Sequence, residues 1–222
     1  MDDQSILAVI VTPLLAYLLG AIPFGLIIAK LSGIYDIRKL GSGNIGATNV
    51  WRIAGPGVAL WVFLFDIGKG VAAVYVAQFV YYMFSISIVS REFFSACCGM
   101  AAVFGHVVPI YLGFKGGKGV NTALGVMAAI LPINTLISFG AFVIALLLFR
   151  YVSLGSIIAV ITLPVTLLVQ KFGINQPVSL VYLVMALTLA ALVIFAHRKN
   201  IVRIIRGTEN SFSFRAHPSN AE

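Results

Sequence analysis

Six long apolar runs constrain this chain more than any other feature: Ile6 to Ala29, Gly57 to Phe84, Phe93 to Leu112, Val120 to Phe149, Leu154 to Val169 and Val178 to Ala196. A helix needs about 20 consecutive apolar residues to cross the roughly 30 Å hydrocarbon layer, where only internal hydrogen bonds satisfy the backbone. Runs of this kind predict an all-α integral membrane protein folded as one compact bundle. Composition agrees, since 60% of the 222 residues are hydrophobic and only 10% are charged, against about a quarter charged in a soluble domain. A disordered chain, which needs few apolar residues and many charges, is excluded. The only cysteines, Cys97 and Cys98, are adjacent within an apolar run, which excludes a secreted disulfide scaffold. The first run follows Asp2 and Asp3 with no basic segment before it, so it is expected to be a retained span rather than a cleaved signal. The formal net charge of +8 belongs outside the hydrocarbon and points to anionic partners, either lipid headgroups or an anionic substrate.

The number of spans follows from charge. Segment 32–52 carries Arg38, Lys39 and Arg52, the loop near 113–119 carries Lys115 and Lys118, and the tail after Ala196 carries Arg198, Lys199, Arg203, Arg206 and Arg215. The loops 85–92 and 170–177 carry only Arg91 with Glu92, and Lys171. Basic loops stay on the cytoplasmic side. The run Val120 to Phe149 is about 30 residues, interrupted by Pro132 and Asn134; this is long for one span and short for two. As one span it would send the basic tail to the opposite face from the other two basic segments. As two short spans broken near Pro132 it leaves all three on one face. The sequence therefore predicts a seven-helix transmembrane bundle with two short or broken helices, N-terminus outside and C-terminus inside. Residues 1–209 form a single transmembrane domain and residues 210–222 a polar tail, expected to be mobile. No internal repeat or low-complexity segment is evident.

Three polar segments fall on the predicted inner face. The first, Gly41 to Arg52, holds Ser42, Asn44, Thr48, Asn49 and Arg52 among small residues. Glycines let backbone N–H groups approach an anion, and Arg52 can grip phosphate with two donors. A flexible loop with a positive-inside arginine is the plainer account, but the density of ligating side chains favours a site. Gly41, Gly43 and Gly46 also match a dinucleotide fingerprint, with Asp66 twenty residues on. That motif needs flanking strands; membrane helices stand there instead, so it is rejected. The second segment, Gly105-His106 through Lys115-Gly-Gly-Lys118-Gly119, suits a phosphate cradle at a helix start. It is not a P-loop, because Leu112 and Gly119 stand where that motif requires Gly and Ser or Thr. His106 is balanced between a functional role and a buried histidine satisfied by a carbonyl. The third segment, His197 to Arg203 with Glu209, puts His197 and Asn200 on one helical face. Asp66 and Lys69 lie three apart in an apolar run and are expected to neutralise each other, in a structural or a substrate-binding role. Ser153 and Ser156 begin another span, as caps or as ligands. The three histidines, two cysteines and few acids do not converge at metal-ligand spacing. A cysteine nucleophile and a Ser-His-Asp triad are both poorly supported.

In this order the segments resemble the acyl-phosphate-dependent glycerol-3-phosphate acyltransferases of bacteria, the PlsY family. The resemblance spans nearly the whole chain: Ser42-Gly-Asn44-Ile-Gly-Ala-Thr48-Asn49-Val-Trp-Arg52; Gly105-His106-Val-Val-Pro109 through Phe114-Lys115-Gly-Gly-Lys118-Gly119; and His197-x-x-Asn200-Ile-x-Arg203 with Gly207-x-Glu209. Leu19-Gly-Ala-Ile-Pro23-Phe-Gly25 and Asp66-x-x-Lys69-Gly70 also fit. Asn121 and Ala21 depart from residues common in the family, at places away from the presumed chemistry. The resemblance implies transfer of a fatty acyl group from acyl phosphate to sn-glycerol 3-phosphate, giving 1-acylglycerol 3-phosphate and inorganic phosphate. This is a first step of phospholipid synthesis, in a bacterial inner membrane, with the active site facing the cytoplasm. It implies no cofactor, no metal, no nucleic acid and no obligatory protein partner beyond membrane lipids. It gives His197, Asn200 and Ser42 catalytic roles. Asn44, Thr48, Asn49, Arg52, Lys115 or Lys118, Ser153 and Arg203 are placed around the substrates. The His-x4-Asp signature of thioester-using acyltransferases is missing: at that spacing Tyr111, Val202 and Glu222 follow the three histidines. Acyl phosphate is already activated, so the main task is holding and aligning two phosphate-bearing substrates, without a covalent acyl-enzyme. A rival reading, a transporter for a phosphorylated metabolite, predicts a mid-membrane site and inverted repeats. A membrane scaffold leaves the polar segments without purpose.

Overall fold

The computed structural model describes residues 3–213, and every regular element among them is helical. The first apolar run forms α1 (Asp3–Ala21) and α2 (Phe24–Leu31), separated at Ile22–Pro23 where proline removes a backbone donor. A 3₁₀ turn, Ile37–Lys39, leads to the short α3 (Ala47–Ala54). Gly55, at φ +84°, turns the chain, and Pro56 opens α4 (Pro56–Met83). Ser90 caps α5 (Arg91–Val107) by accepting the N–H of Phe93 at 3.2 Å. Then follow α6 (Val120–Ile130), α7 (Pro132–Phe149), α8 (Val152–Leu168), α9 (Leu180–Ala196) and α10 (Arg198–Ile205).

Five helical stretches among the described residues are long and apolar enough to cross a bilayer, six if α9 and α10, bent by 61°, count as one. The Val120–Phe149 run does break at Leu131–Pro132, but not into two short helices. α6 has 11 residues and α7 has 18. Proline at a first helical position loses nothing, since that N–H has no intrahelical partner, so Pro132 starts a full-length helix. Of these two, α6, about 16 Å long, is too short to span the hydrocarbon.

Helix pairing is set by glycine-mediated approach. α1 packs along α5, where a Cβ at Gly20 would overlap the Ala102 carbonyl and one at Gly105 the Tyr17 carbonyl. α4 packs on α6 in the same reciprocal way through Gly70 and Gly125. Without hydrophobic attraction between helices in lipid, such close backbone contact supplies the association. α7 pairs with α8, and α8 with α9. The largest core cluster joins Val74, Val103, Val126, Met127, Leu163, Leu167 and Leu189 from α4 to α9, while Leu14, Phe79, Leu147 and Leu148 point outward. Most of the tail expected to be mobile lies outside the described residues; of the described part, Asn210 and Phe212 touch Arg52, Trp51 and Arg150.

Candidate active site

One cavity of about 620 Å³ collects the polar segments. Ser42, Asn44, Thr48, Asn49, Arg52, Lys118, Ser153, His197, Asn200 and Arg203 all line it. Lys115 does not: it is exposed on the far side of the Gly116–Gly117 turn.

The loop before α3 is organised from within. Asn49, 1% exposed, accepts the Ser42 N–H at 2.8 Å on its Oδ1 and donates its Nδ2 to the carbonyls of Ile37, Leu40 and Asn44. Its amide is committed to the loop and fixes where Ser42 and Asn44 face the cavity. Asn44 accepts the Gly46 N–H at 2.8 Å in a tight turn. Gly41 and Gly43 take left-handed conformations that this turn requires.

The C-terminal segment supplies a hub at Glu209, a residue the sequence marked without a role. The Glu209 carboxylate accepts hydrogen bonds from Ser153 Oγ at 2.8 Å, Asn200 Nδ2 at 2.6 Å and Arg203 Nε at 2.7 Å. Burial alone would raise its pKa, but Arg203, Asn200 and Ser153 hold it below the usual carboxylate range. It thus ties α8 to α10 and partly neutralises Arg52, Lys118 and Arg203 at the mouth. Beyond it, Phe212 stacks on Trp51 at 5.3 Å, its N–H donates to the Arg150 carbonyl at 2.6 Å, and Arg52 donates to the Asn210 carbonyl at 3.3 Å.

His197 occupies the bend between α9 and α10 and is 2% exposed. Its Nδ1 lies 2.8 Å from the Val193 carbonyl, which can only accept. The ring proton therefore sits on Nδ1, and the lone pair on Nε2, the edge left for the cavity. Burial and, next, the neighbouring Lys118 push its pKa down to about 4, keeping the imidazole neutral. Burial also lowers the Lys118 pKa to about 8, against the pull of Glu209.

Asp66, Lys69 and His106 form one buried cluster. Lys69 Nζ lies 2.8 Å from Asp66 Oδ1 and 2.9 Å from His106 Nδ1, and donates to the Ile22 carbonyl freed by the α1–α2 break at 3.0 Å. The predicted acid–lysine pair is present, and His106 joins it. The far side of this histidine supports the glycine turn: Gly117 N–H donates to the His106 carbonyl at 3.0 Å, and a Cβ at Gly117 would overlap His106 Nε2. This turns Lys118 into the cavity and Lys115 away from it.

Deeper, the lining becomes apolar, with Phe139, Phe142 and Leu146 of α7 facing Ala159, Val160 and Leu163 of α8. A cationic mouth over an apolar depth suits a ligand with an anionic head and a hydrocarbon tail.

Comparison with known proteins agrees. The family profile described as glycerol-3-phosphate acyltransferase matches residues 10–207. A protein of that name from Geotalea daltonii is 44% identical over 89% of this chain and 94% of its own length. One from Syntrophomonas wolfei is 41% identical over 91% and 96%. The crystal structure of PlsY, an integral membrane glycerol 3-phosphate acyltransferase, in its glycerol 3-phosphate form superposes with a TM-score of 0.79 at 40% identity, covering 92% of this chain and 96% of that one. Its lysophosphatidic acid form gives 0.77 at 39% identity, covering 92% and 95%.

Proposed function

We propose a donor, a product and a residue-level mechanism for this chain, which belongs to the glycerol-3-phosphate acyltransferase family. The donor is acyl phosphate, the acceptor sn-glycerol 3-phosphate, and the products 1-acylglycerol 3-phosphate and inorganic phosphate. The observation that carries this reading is the two-part cavity: Arg52, Lys118, Arg203 and the Ser42–Gly46 loop at the mouth, and an apolar pocket beneath.

The acceptor phosphate sits among Arg52, Lys118, Ser153 and Arg203, and Asn200 holds the glycerol. Ser42 and the amides of its loop face the donor phosphate and the oxyanion that develops on its carbonyl. The glycerol hydroxyl oxygen attacks the acyl carbon as the carbon–oxygen bond to phosphate breaks. The hydroxyl proton passes to His197 Nε2, whose tautomer is fixed by Val193. No group in the cavity is an activated nucleophile, and a mixed anhydride needs none.

The same geometry supports seven spans with the site on the cytoplasmic side. Segments that follow α2, α5, α7 and α9 all meet at one cavity mouth, where Ser153 bonds Glu209. In this reading α6 enters the membrane part of the way and α7 returns from it, so that the pair counts as a descent and return, in line with the positive-inside bias. The protein then sits in a bacterial inner membrane with its N-terminus outside, and residues 1–209 act as one domain without an obligatory protein partner.

Purified protein given acyl phosphate and glycerol 3-phosphate should release inorganic phosphate and form 1-acylglycerol 3-phosphate in equal amounts. Equal product from acyl-CoA without acyl phosphate would overturn the donor. A labelled acyl group trapped covalently on the protein, in the absence of acceptor, would overturn direct transfer.

A further inference from the structure

His106 and His197 both line the cavity, and the structure fixes opposite tautomers in them. His197 keeps its proton on Nδ1 and presents a lone pair. His106, in the last turn of α5 and 5% exposed, does the reverse. Its Nδ1 lies 2.9 Å from Lys69 Nζ. An ammonium can only donate, so this nitrogen accepts and the ring proton sits on Nε2. Asp66 Oδ1 is 3.5 Å from the same Nδ1, too far for a competing bond, and pairs instead with Lys69 Nζ at 2.8 Å.

The Nε2–H has no hydrogen-bond partner among the described residues, and unlike Trp51 Nε1 and Ser95 Oγ it is not sealed off. It lies against the α-carbon of Gly117, where any side chain would cover it. The next residue, Lys118, lines the same cavity. Donors held in place ahead of a reaction stabilise negative charge without reorganising. Lys69 polarises this donor from the opposite edge of the ring, and hydrogen bonds in such a chain strengthen one another. Packing alone would need neither the fixed tautomer nor a glycine that leaves Nε2 uncovered.

We propose that the His106 Nε2–H binds a substrate oxyanion beside Lys118, so that the site carries a histidine donor as well as a histidine base. The proposal rests on the reading of the cavity as a site for two phosphate-bearing substrates, and adds a ligand to it. Asp66 and Lys69 act through His106 as positioning residues.

His106→Leu removes the donor and leaves Lys69 with Asp66 and the Ile22 carbonyl. His106→Gln puts an amide N–H in its place. His106→Leu should lower kcat/KM roughly 10–100-fold, the scale of one hydrogen bond to a charged group, and His106→Gln should recover most of the loss. A rise only in the KM for glycerol 3-phosphate assigns the bond to the acceptor phosphate, and a rise only in that for acyl phosphate to the donor phosphate. A fall in kcat alone assigns it to the oxyanion that develops on the carbonyl. Equal losses in both variants, or no loss in either, would overturn the proposal and leave His106 as a support for the glycine turn. Isotope labelling of the histidine ring nitrogens gives a magnetic-resonance readout that needs no turnover. The signals missing from His106→Gln should show a protonated Nε2 and a bare Nδ1, and inorganic phosphate should shift the Nε2 proton. A proton on Nδ1, or no response to phosphate, would overturn the donor role. If the unsubstituted protein made no product from acyl phosphate, the reaction proposed above would fail, while the spectrum would still decide whether His106 donates to a phosphate.

Discussion

The base role proposed for His197 depends on its surroundings. Val193 fixes the tautomer at 2.8 Å, and burial holds the ring neutral. Loss of a positioned base typically costs about 10²–10⁴-fold. His197→Ala should lower kcat by that amount in a protein that still elutes as a folded species in detergent; full turnover would shift the proton to a substrate phosphate. Arg52 contributes a fork rather than a point charge. Arg52→Lys should lower kcat/KM roughly 10–100-fold, the scale of one lost charged hydrogen bond. Lys118 adds a pH dependence. With a pKa near 8 it is charged below that pH and loses its proton above it, while the substrate phosphate stays dianionic. The KM for glycerol 3-phosphate should therefore rise about tenfold between pH 7 and pH 9. Lys118→Arg, charged throughout, should flatten that rise. Steady-state kinetics across this range decide the point. The sequence could not choose between Lys115 and Lys118, which share one glycine-rich loop; the Gly116–Gly117 turn against His106 separates them. The sequence marked Glu209 beside Asn200 and Arg203, but its link to Ser153, 56 residues away, left no local pattern to read.

At the scale of elements, the buried Asp66–Lys69–His106 cluster locks α4 to α5 and to the α1–α2 break. Its acid and lysine were legible from their spacing, but the break at Ile22–Pro23 was not, because the run stays apolar on both sides of the proline. Only the structure shows that the Ile22 carbonyl, left out of the α1 ladder, accepts the buried Lys69 ammonium as well as the Phe24 N–H. Removing one partner leaves an uncompensated buried charge at the edge of the cavity, which Asp66 and His106 also line. Lys69→Met alone should destabilise the protein by about 3–5 kcal/mol. The pair Lys69→Met with Asp66→Leu should recover most of that loss, measured as thermal unfolding in detergent. A single variant as stable as the parent would mean that water reaches the cluster.

At the scale of the whole molecule, charge bias and helix geometry constrain the same topology from different directions. The sequence supplied the bias and a proline twelve residues into a 30-residue run, which already divides it unequally; the structure adds that Pro132 opens a full-length helix instead of shortening one. The structure joins the segments after α2, α5, α7 and α9 at one mouth, which gathers the polar groups at one end of the bundle rather than at its middle, where a transporter site is expected. The topology can be checked without activity. After replacing Cys97 and Cys98 with alanine, single cysteines at Ser32, Lys115 and Arg206 should all be blocked by an impermeant thiol reagent only in inside-out vesicles. A cysteine at Asn175, beyond the opposite end of α8, should be blocked only in right-side-out vesicles. These four positions are exposed, so a failure to react does not reflect burial, and Gly117 is avoided because any side chain there meets His106. If Lys115 and Arg206 reacted from opposite sides, α6 and α7 would count as one crossing. The cationic mouth would then be split across the bilayer, and no single cavity could hold both substrates.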